Sequence, residues 1–420
     1  MIQKPKGTYD LYGENSKKWL YIKSLIKNIC ETYNYNYIKT PTFERSELFH
    51  RGVGDSTDII RKETYDFKDR SNRDMSLRPE GTAGVVRSYI ENKMYNEQII
   101  KQYYIGSNFR YERPQSGRFR EHTQFGIEVF GSDSPIIDAE VISIPVLLFK
   151  MLGLKGIKVK INTLGDEESS SDYKKALIEH FKPKINELCE DCINRLDINP
   201  LRILDCKVDS GNQLLKKAPR TIDYLNPDSE NYFKRVLDYL DLLEIEYEVD
   251  PKLVRGLDYY THTIFEIQAD IEGLGSQNTL CGGGRYNNLV ETLDGPETPG
   301  IGFGMGLERL LLALDKENID LLKNNNIDAF VIGIGNTKEE TFKITNMLRV
   351  NGFKTDMDYF GKNISSSFKQ ADKYNSKYII IVGEEELKSD KVIVKENNKD
   401  AQELIKIEEL INYLDEKIEN

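Results

Sequence analysis

Three arginines in this 420-residue chain stand where a phosphate or a carboxylate could be gripped. Arg110 opens Arg110-Tyr111-Glu112, and on a strand the two charged side chains would share one face, because side chains alternate with a period of two. A guanidinium there can hold a phosphate or carboxylate through two parallel hydrogen bonds. A carboxylate two residues on can accept from an amino group such as that of adenine. Alone, an Arg-x-Glu pair is read more simply as a surface ion pair. Arg309 closes Gly300-Ile301-Gly302-Phe303-Gly304-Met305-Gly306-Leu307-Glu308-Arg309. Alternating glycines on an extended strand bare one face, which suits a flat ligand or another backbone packed tightly. A helix starting at Leu307 would put Arg309 about one turn in, within reach of a nucleotide. Arg255 stands in Val254-Arg255-Gly256-Leu257-Asp258-Tyr259-Tyr260-Thr261, a cation beside two phenols. Neither G-x-x-x-x-G-K-[ST] nor G-x-G-x-x-G occurs, so a bound nucleotide would rest on some device other than a phosphate loop.

Together these frames resemble a known family. Residues 109–120, with the return stretch Gln124-Phe125-Gly126-Ile127-Glu128-Val129-Phe130-Gly131, are similar to motif 2 of class II aminoacyl-tRNA synthetases, and residues 300–309 to motif 3. Residues 255–260 resemble a segment peculiar to histidyl-tRNA synthetases. Leu77-Arg78-Pro79-Glu80-Gly81-Thr82, the stretch 52–65 and Cys281-Gly282-Gly283-Gly284-Arg285-Tyr286 fit the same family, so the likeness covers nearly the whole chain.

The resemblance implies a ligase that activates L-histidine with ATP and Mg²⁺, releases pyrophosphate, and passes histidine to the 3′ end of tRNA(His). It implies catalytic roles for Arg110, between the carboxylate and the α-phosphate, for Arg255 at the α-phosphate, and for Arg309 at the γ-phosphate. For histidine it implies Glu80, Gly81, Thr82 and Gln124 at the α-amino group. Glu128 and Tyr260 would read the two imidazole nitrogens, with Tyr259 and Tyr286 beside them. For ATP it adds Glu112, Arg118, Arg120, His122 and Gly304; for the tRNA acceptor end, Gln115 and Arg118. One departure stands out. The family usually has Phe after the R-x-R-[EQ] run, stacked on adenine; here His122 follows Arg120-Glu121, and an imidazole changes charge near neutral pH.

Elements must position these residues. Apolar Trp19, Ile22, Leu25, Ile26 and Ile29 predict a helix over 16–33 with Ser16 as N-cap, followed by a strand at 35–39 that Pro41 stops. This helix-strand-Pro unit is similar to motif 1, which implies a homodimer. Two strand-like runs within 99–130 flank a polar Arg-rich loop and read as a hairpin. A helix is expected at 134–152 and a strand at 157–162. Residues of about 166–245 are charged and free of β-branched runs, which predicts a helical insertion. Strands return at 253–269 and 279–282, with a helix near Arg285. After Asn324-Asn325-Asn326, read as a linker, strands at 329–334, 354–358 and 378–382 alternate with helices at 339–350, 364–374 and 401–414. The fold class expected is an α+β catalytic domain on an antiparallel sheet (1–323, insertion included), followed by an α/β anticodon-binding domain with a largely parallel sheet (327–420).

Bulk properties fit. A net charge of −11 argues against non-specific nucleic-acid binding but not against a shape-specific RNA partner. The sequence shows neither a membrane span nor a signal-peptide core, and five cysteines do not suggest a disulfide framework, which together point to the cytoplasm. Cys189-x-x-Cys192 with Cys206, and His180 upstream, have the composition of a Zn²⁺ knuckle; lacking a second C-x-x-C, they are read as three unlinked thiols, with no metal. The alternative function is a non-catalytic paralogue serving as regulatory subunit of ATP phosphoribosyltransferase. Such paralogues usually lack the C-terminal domain and parts of the 255–260 segment.

Overall fold

The computed structural model describes residues 1–54, 57–275, 278–322, 326–361, 363–397, 399 and 401–418. Asn324 and Asn325 of the expected linker lie outside the described residues, as do Asp55 and Ser56 of the 52–65 segment. The chain forms two compact units, Met1–Leu321 and Leu322–Asn420.

The first unit is built on an eight-stranded sheet in the order Asn36–Tyr37, Ile100–Phe109, Glu121–Phe130, Gly300–Gly306, Thr279–Arg285, Thr261–Ala269, Ile157–Thr163, Tyr247–Val249. Its six central strands run antiparallel to one another, while the two edge strands pair in parallel. Alternation sorts the side chains. Phe125, Ile127, Val129, Phe265, Ile267, Ile301, Phe303 and Met305 face one core, which the helices Gly13–Thr32, Pro135–Met151 and Pro227–Leu242 cover with Trp19, Ile22, Ile26, Leu148, Val236 and Leu240. The other face keeps the polar side chains and the glycines. Register sets Gly302 opposite Glu128, Gly304 opposite Gly126 and Gly306 opposite Gln124.

The first helix begins three residues before Ser16, which is not its cap. Tyr12 holds that position without a side-chain hydrogen bond, and Ser16 Oγ donates back to the Gly13 carbonyl at 2.7 Å. The strand expected at 35–39 shortens to Asn36–Tyr37. Arg285, expected near a helix start, ends a strand and is fully buried in an ion pair with Asp138 of the Pro135–Met151 helix.

The helical insertion has its own small core, in which Tyr173, Leu177 and Phe181 of Glu167–Phe181 meet Cys192 and Leu196 of Glu190–Ile198, with Ile203, Cys206 and Leu215. Asp166 caps its first helix by accepting from the Ser169 N–H at 2.9 Å. The Pro227–Leu242 helix instead shares the core of the sheet.

The second unit is a five-stranded sheet in the order Thr355–Met357, Ala329–Ile334, Tyr378–Gly383, Lys391–Glu396, Gln402–Lys406. The first three strands are parallel and the last two are added antiparallel, so the sheet is mixed rather than largely parallel. The helix expected at 401–414 divides into the strand Gln402–Lys406 and the helix Leu410–Ile418. Tyr378–Gly383 is buried along its whole length, as a strand covered on both faces must be.

Candidate active site

One cavity lies over the glycine-bearing face of the first sheet. Among the expected residues, Glu80, Thr82, Arg110, Glu112, Arg118, His122, Gln124, Arg255, Tyr259, Tyr260, Tyr286, Gly304 and Arg309 line it. Gly81, Gln115, Arg120 and Glu128 do not.

Each of those four has another place. Gly81 lies at the helix N-terminus, where an added methyl would overlap the Tyr104 ring. Gln115 is exposed in a tight turn with Arg118 (their backbones bond at 3.1 and 3.0 Å) in which Gly117 takes φ +70°. Arg120 stacks its guanidinium on the Tyr111 ring at 3.8 Å and donates to the Glu112 carbonyl at 3.2 Å. Glu128 is fully buried behind Gly302 and accepts from Tyr286, from Thr82 at 2.7 Å and from Tyr104 at 3.3 Å. Burial pushes its carboxyl up to about 8, against the pull of Tyr286 and Thr82.

The strand carrying the hairpin's first half stops at Phe109, so Arg110 and Glu112 sit in the loop, and the period-two argument for their shared face fails. They reach the cavity by other means. Arg110 donates from Nε to the Pro79 carbonyl at 2.8 Å, and Glu112 pairs with Arg118. Arg309 is braced by the Thr279 carbonyl at 3.0 Å. Burial, then the charges of Arg118 and Arg110, bring its guanidinium down to about 10. Arg110 and Arg118 are also lowered, first by burial. Arg255 goes the other way: burial opposes its charge, but Glu266, its ion-pair partner, outweighs that and raises it.

The residues that the resemblance assigns to the amino-acid end interlock. Glu80 accepts from the Thr82 and Ala83 N–H groups, both at 2.7 Å, and so caps the Thr82–Glu91 helix. Burial raises its carboxyl above the usual range. Thr82 gives its hydroxyl proton to Glu128, which leaves its oxygen an acceptor. Gln124 is fixed by Asn108 Nδ2, which donates to its Oε1 at 2.6 Å. Tyr259 packs on Tyr260 and Tyr286, with ring centroids 4.8 and 5.6 Å apart.

The glycine stripe is mostly filled by protein. A methyl at Gly300 would overlap Tyr286, at Gly302 the Glu128 carboxylate, and at Gly304 the Gln124 amide; at Gly306 it would meet only Arg309, at 3.8 Å. Only the Gly306 end is open to a flat ligand. His122 is held down to about 3 by burial and by Arg110, Arg309 and Arg118, so the expected charge change near neutral pH does not occur.

The cavity also has walls that motif reading passed over: Phe119, Leu257, Thr279, Cys281 and Glu308. Glu308 Oε1 accepts from Tyr9 and from the Thr123 N–H, both at 2.7 Å, while its buried Oε2 and Arg255 Nε have no hydrogen-bond partner among the described residues. Glu266 is the largest omission. The signal was there: a single carboxylate in Thr263-Ile264-Phe265-Glu266-Ile267, on the face opposite Phe265 and Ile267.

Comparison with known proteins fixes the family. The Histidyl-tRNA synthetase family model matches residues 7–310, and the Anticodon binding domain model residues 328–417. The chain belongs to the histidyl-tRNA synthetase family. It is 51% identical over 420 residues to the histidine–tRNA ligase of Oceanobacillus iheyensis, covering 99% of this chain and 98% of that one. To the histidine–tRNA ligase of Geobacillus sp. (strain WCH70) it is also 51% identical, with 99% of each covered. The structure of apo S. aureus histidyl-tRNA synthetase superimposes with a TM-score of 0.84 at 43% identity, covering 99% of this chain and 100% of that one. The first unit therefore has the class II synthetase fold, and the chain is an enzyme of the ligase kind. Such identity along the full length goes with the ligases and not with the regulatory paralogue. Among the described residues no helix is long and apolar enough to cross a membrane.

Proposed function

We propose that the chain activates L-histidine with the Mg²⁺ complex of ATP and transfers it to the 3′ end of tRNA(His). The observation that carries this reading is the meeting of Arg110, Arg118, Arg255 and Arg309 with Glu80, Thr82, Tyr259 and Tyr260 around one cavity, in a chain so similar to histidine–tRNA ligases throughout.

In the first step the histidine carboxylate attacks the α-phosphorus of ATP and pyrophosphate leaves. The nucleophile is already an anion, so positioning and charge relief suffice without a general base. Arg110 bridges carboxylate and α-phosphate, Arg255 stabilises charge at the α-phosphate, and Arg309 holds the γ-phosphate end. Glu112, with Arg118, serves the adenine end, against neutral His122. Glu80 and Thr82 hold the α-amino group, and Gln124 lies beside them. Tyr260 and Tyr286 offer phenols to the imidazole, while Glu128 works from behind by fixing Tyr286 and Thr82. In the second step the terminal ribose hydroxyl of the tRNA attacks the adenylate carbonyl and passes its proton to a phosphate oxygen of the adenylate; the acyl–phosphate bond breaks and AMP leaves. Gln115 and Arg118 face the acceptor end, the helical insertion clasps the acceptor stem, and the second unit binds the anticodon. The working form is a cytoplasmic homodimer.

The test is ATP–pyrophosphate exchange run with each of the twenty amino acids. Exchange with histidine alone is expected. Absence of exchange with every amino acid would overturn the reading.

A further inference from the structure

The three insertion thiols expected to be unlinked converge. The ligand atoms of Cys189, Cys192, Cys206 and Asp209 all lie within 4.8 Å of one another. His180, the fourth ligand suggested by sequence, is elsewhere, with Nε2 at 2.9 Å from the Leu214 carbonyl. We infer that Cys189, Cys192, Cys206 and Asp209 bind one Zn²⁺ ion, which clamps the insertion to the loop carrying Arg255.

The spacing fits a tetrahedral site. Cys189 Sγ and Cys206 Sγ are 3.6 Å apart. Zn–S bonds of about 2.3 Å at tetrahedral angles set sulfurs about 3.8 Å apart, whereas a disulfide needs about 2.05 Å. Thiolate sulfur and carboxylate oxygen are both ligands of this cation, and four of them complete its usual coordination. The backbone already orients two of them. The Asp209 N–H points to Cys206 Sγ at 3.4 Å, and the Cys189 N–H donates to Asp209 Oδ2 at 2.9 Å. Cys192 and Cys206 are buried, so the ion would be shielded from solvent.

The site also answers a structural need. The insertion core is small, and small cores commonly require a metal or other staple. Between the second and third thiols lie the residues that brace the cavity loop. Asn199 Nδ2 donates to Asp258 Oδ1 at 2.7 Å, and Arg202 Nη1 donates to the Arg255 carbonyl at 3.1 Å. An ion joining Cys189, Cys192 and Cys206 would fix both ends of that segment.

Elemental analysis of the full-length chain, purified without a metal-affinity tag, is expected to give about one zinc per chain, falling below about 0.1 in Cys192→Ser. Cys30→Ser, whose thiol lies in the sheet core, should keep its zinc. Misfolding of Cys192→Ser would not blunt the test, because wild-type protein stripped with a chelator and titrated with Co²⁺ should show thiolate-to-cobalt charge-transfer bands saturating at one equivalent. Asp209→Asn should weaken that titration about 10–100-fold. Wild-type protein that carries no zinc and gives no thiolate–cobalt band would overturn the proposal, as would a native Cys189–Cys206 disulfide found by peptide mass. None of these readouts depends on aminoacylation, so failure here is separable from failure of the proposed function.

Discussion

Arg255→Ala is expected to lower both stability and activity, and the structure says how to separate the two losses. Arg255, on the cavity wall, pairs with Glu266, their side chains being 19% and 17% exposed. Removing the guanidinium strands the carboxylate. For a fully buried pair that costs about 3–5 kcal/mol; with about a fifth of each side chain in water, screening brings the loss to about 1–3 kcal/mol. Activation should suffer more. A donor aimed at charge that develops in the transition state is worth about 10²–10³ in rate, or about 2.7–4 kcal/mol. Adding Glu266→Gln removes the stranded charge. The double variant should regain most of the lost stability in urea unfolding, while histidine-dependent pyrophosphate exchange stays at least about 100-fold below wild type. Recovery of exchange together with stability, to within about tenfold of wild type, would refute the argument, because Arg255 would then merely neutralise Glu266.

Three further outcomes are expected. His122 is neutral in the fold, with a pKa of about 3 against the ordinary 6.5, so the native state binds fewer protons than the unfolded chain between those values and stability falls as the pH drops below 6.5. By about pH 5 wild type should have lost about 2 kcal/mol relative to His122→Phe in paired urea titrations, and equal losses in both would contradict the assignment. Glu128 has the opposite sign: with its carboxyl at about 8 against 4.5, the native state binds more protons and stability falls as the pH rises through that window. Glu128→Gln does not titrate, so its stability relative to wild type should climb by about 2–5 kcal/mol from about pH 4.5 to about pH 8.5, and a flat difference would show the carboxyl to be ionised throughout. Gly302→Ala, which drives a methyl into the Glu128 carboxylate, should cost about 3 kcal/mol or more, whereas Gly306→Ala should cost less than about 1 kcal/mol, as thermal unfolding of the two would reveal.

The chemistry-bearing residues were legible in sequence where one motif held the whole arrangement, and illegible where two distant stretches had to meet. The Gly300–Gly306 strand and its following helix were legible in the alternating glycines and the likeness to motif 3, and the intervening Ile301, Phe303 and Met305 commit the other face to the core. That the bare face would be covered did not follow, since Tyr286, Gln124 and Glu128 come from neighbouring strands whose register a single strand does not encode. Arg110 was found for a partly wrong reason: it lies past the strand end, where Pro79 and not the pleat holds it. The strand Lys391–Glu396 was not legible although Val392, Ile393 and Val394 form a β-branched run flanked by lysines, because α/β alternation implies a helix after the strand at 378–382. The insertion thiols are near one another in the chain, but most of a helix separates Cys192 from Cys206, and that the turn Pro200–Ile203 brings Cys206 back to Cys189 did not follow from their spacing.

The cavity's charges explain why so acidic a chain can take a polyanion. At a net charge of −11 the long-range field opposes ATP and RNA alike. Locally the sign is reversed. Arg110, Arg118, Arg255 and Arg309 line one cavity, and Arg309 is brought down to about 10 by burial, then by its cationic neighbours Arg118 and Arg110. Under the proposed function, cations that disfavour one another would be stabilised together by one triphosphate, which would relieve their mutual repulsion. Glu266 and Glu112 temper that repulsion through Arg255 and Arg118. The carboxylates at the other end, Glu80 and Glu128, are both raised by burial, and an incoming ammonium would favour the charged form of Glu80 at the cavity wall. A zwitterionic amino acid with its ammonium toward Glu80 and its carboxylate toward Arg110, as the proposed function has it, would thus be aligned by the same separation of charge that would hold the nucleotide.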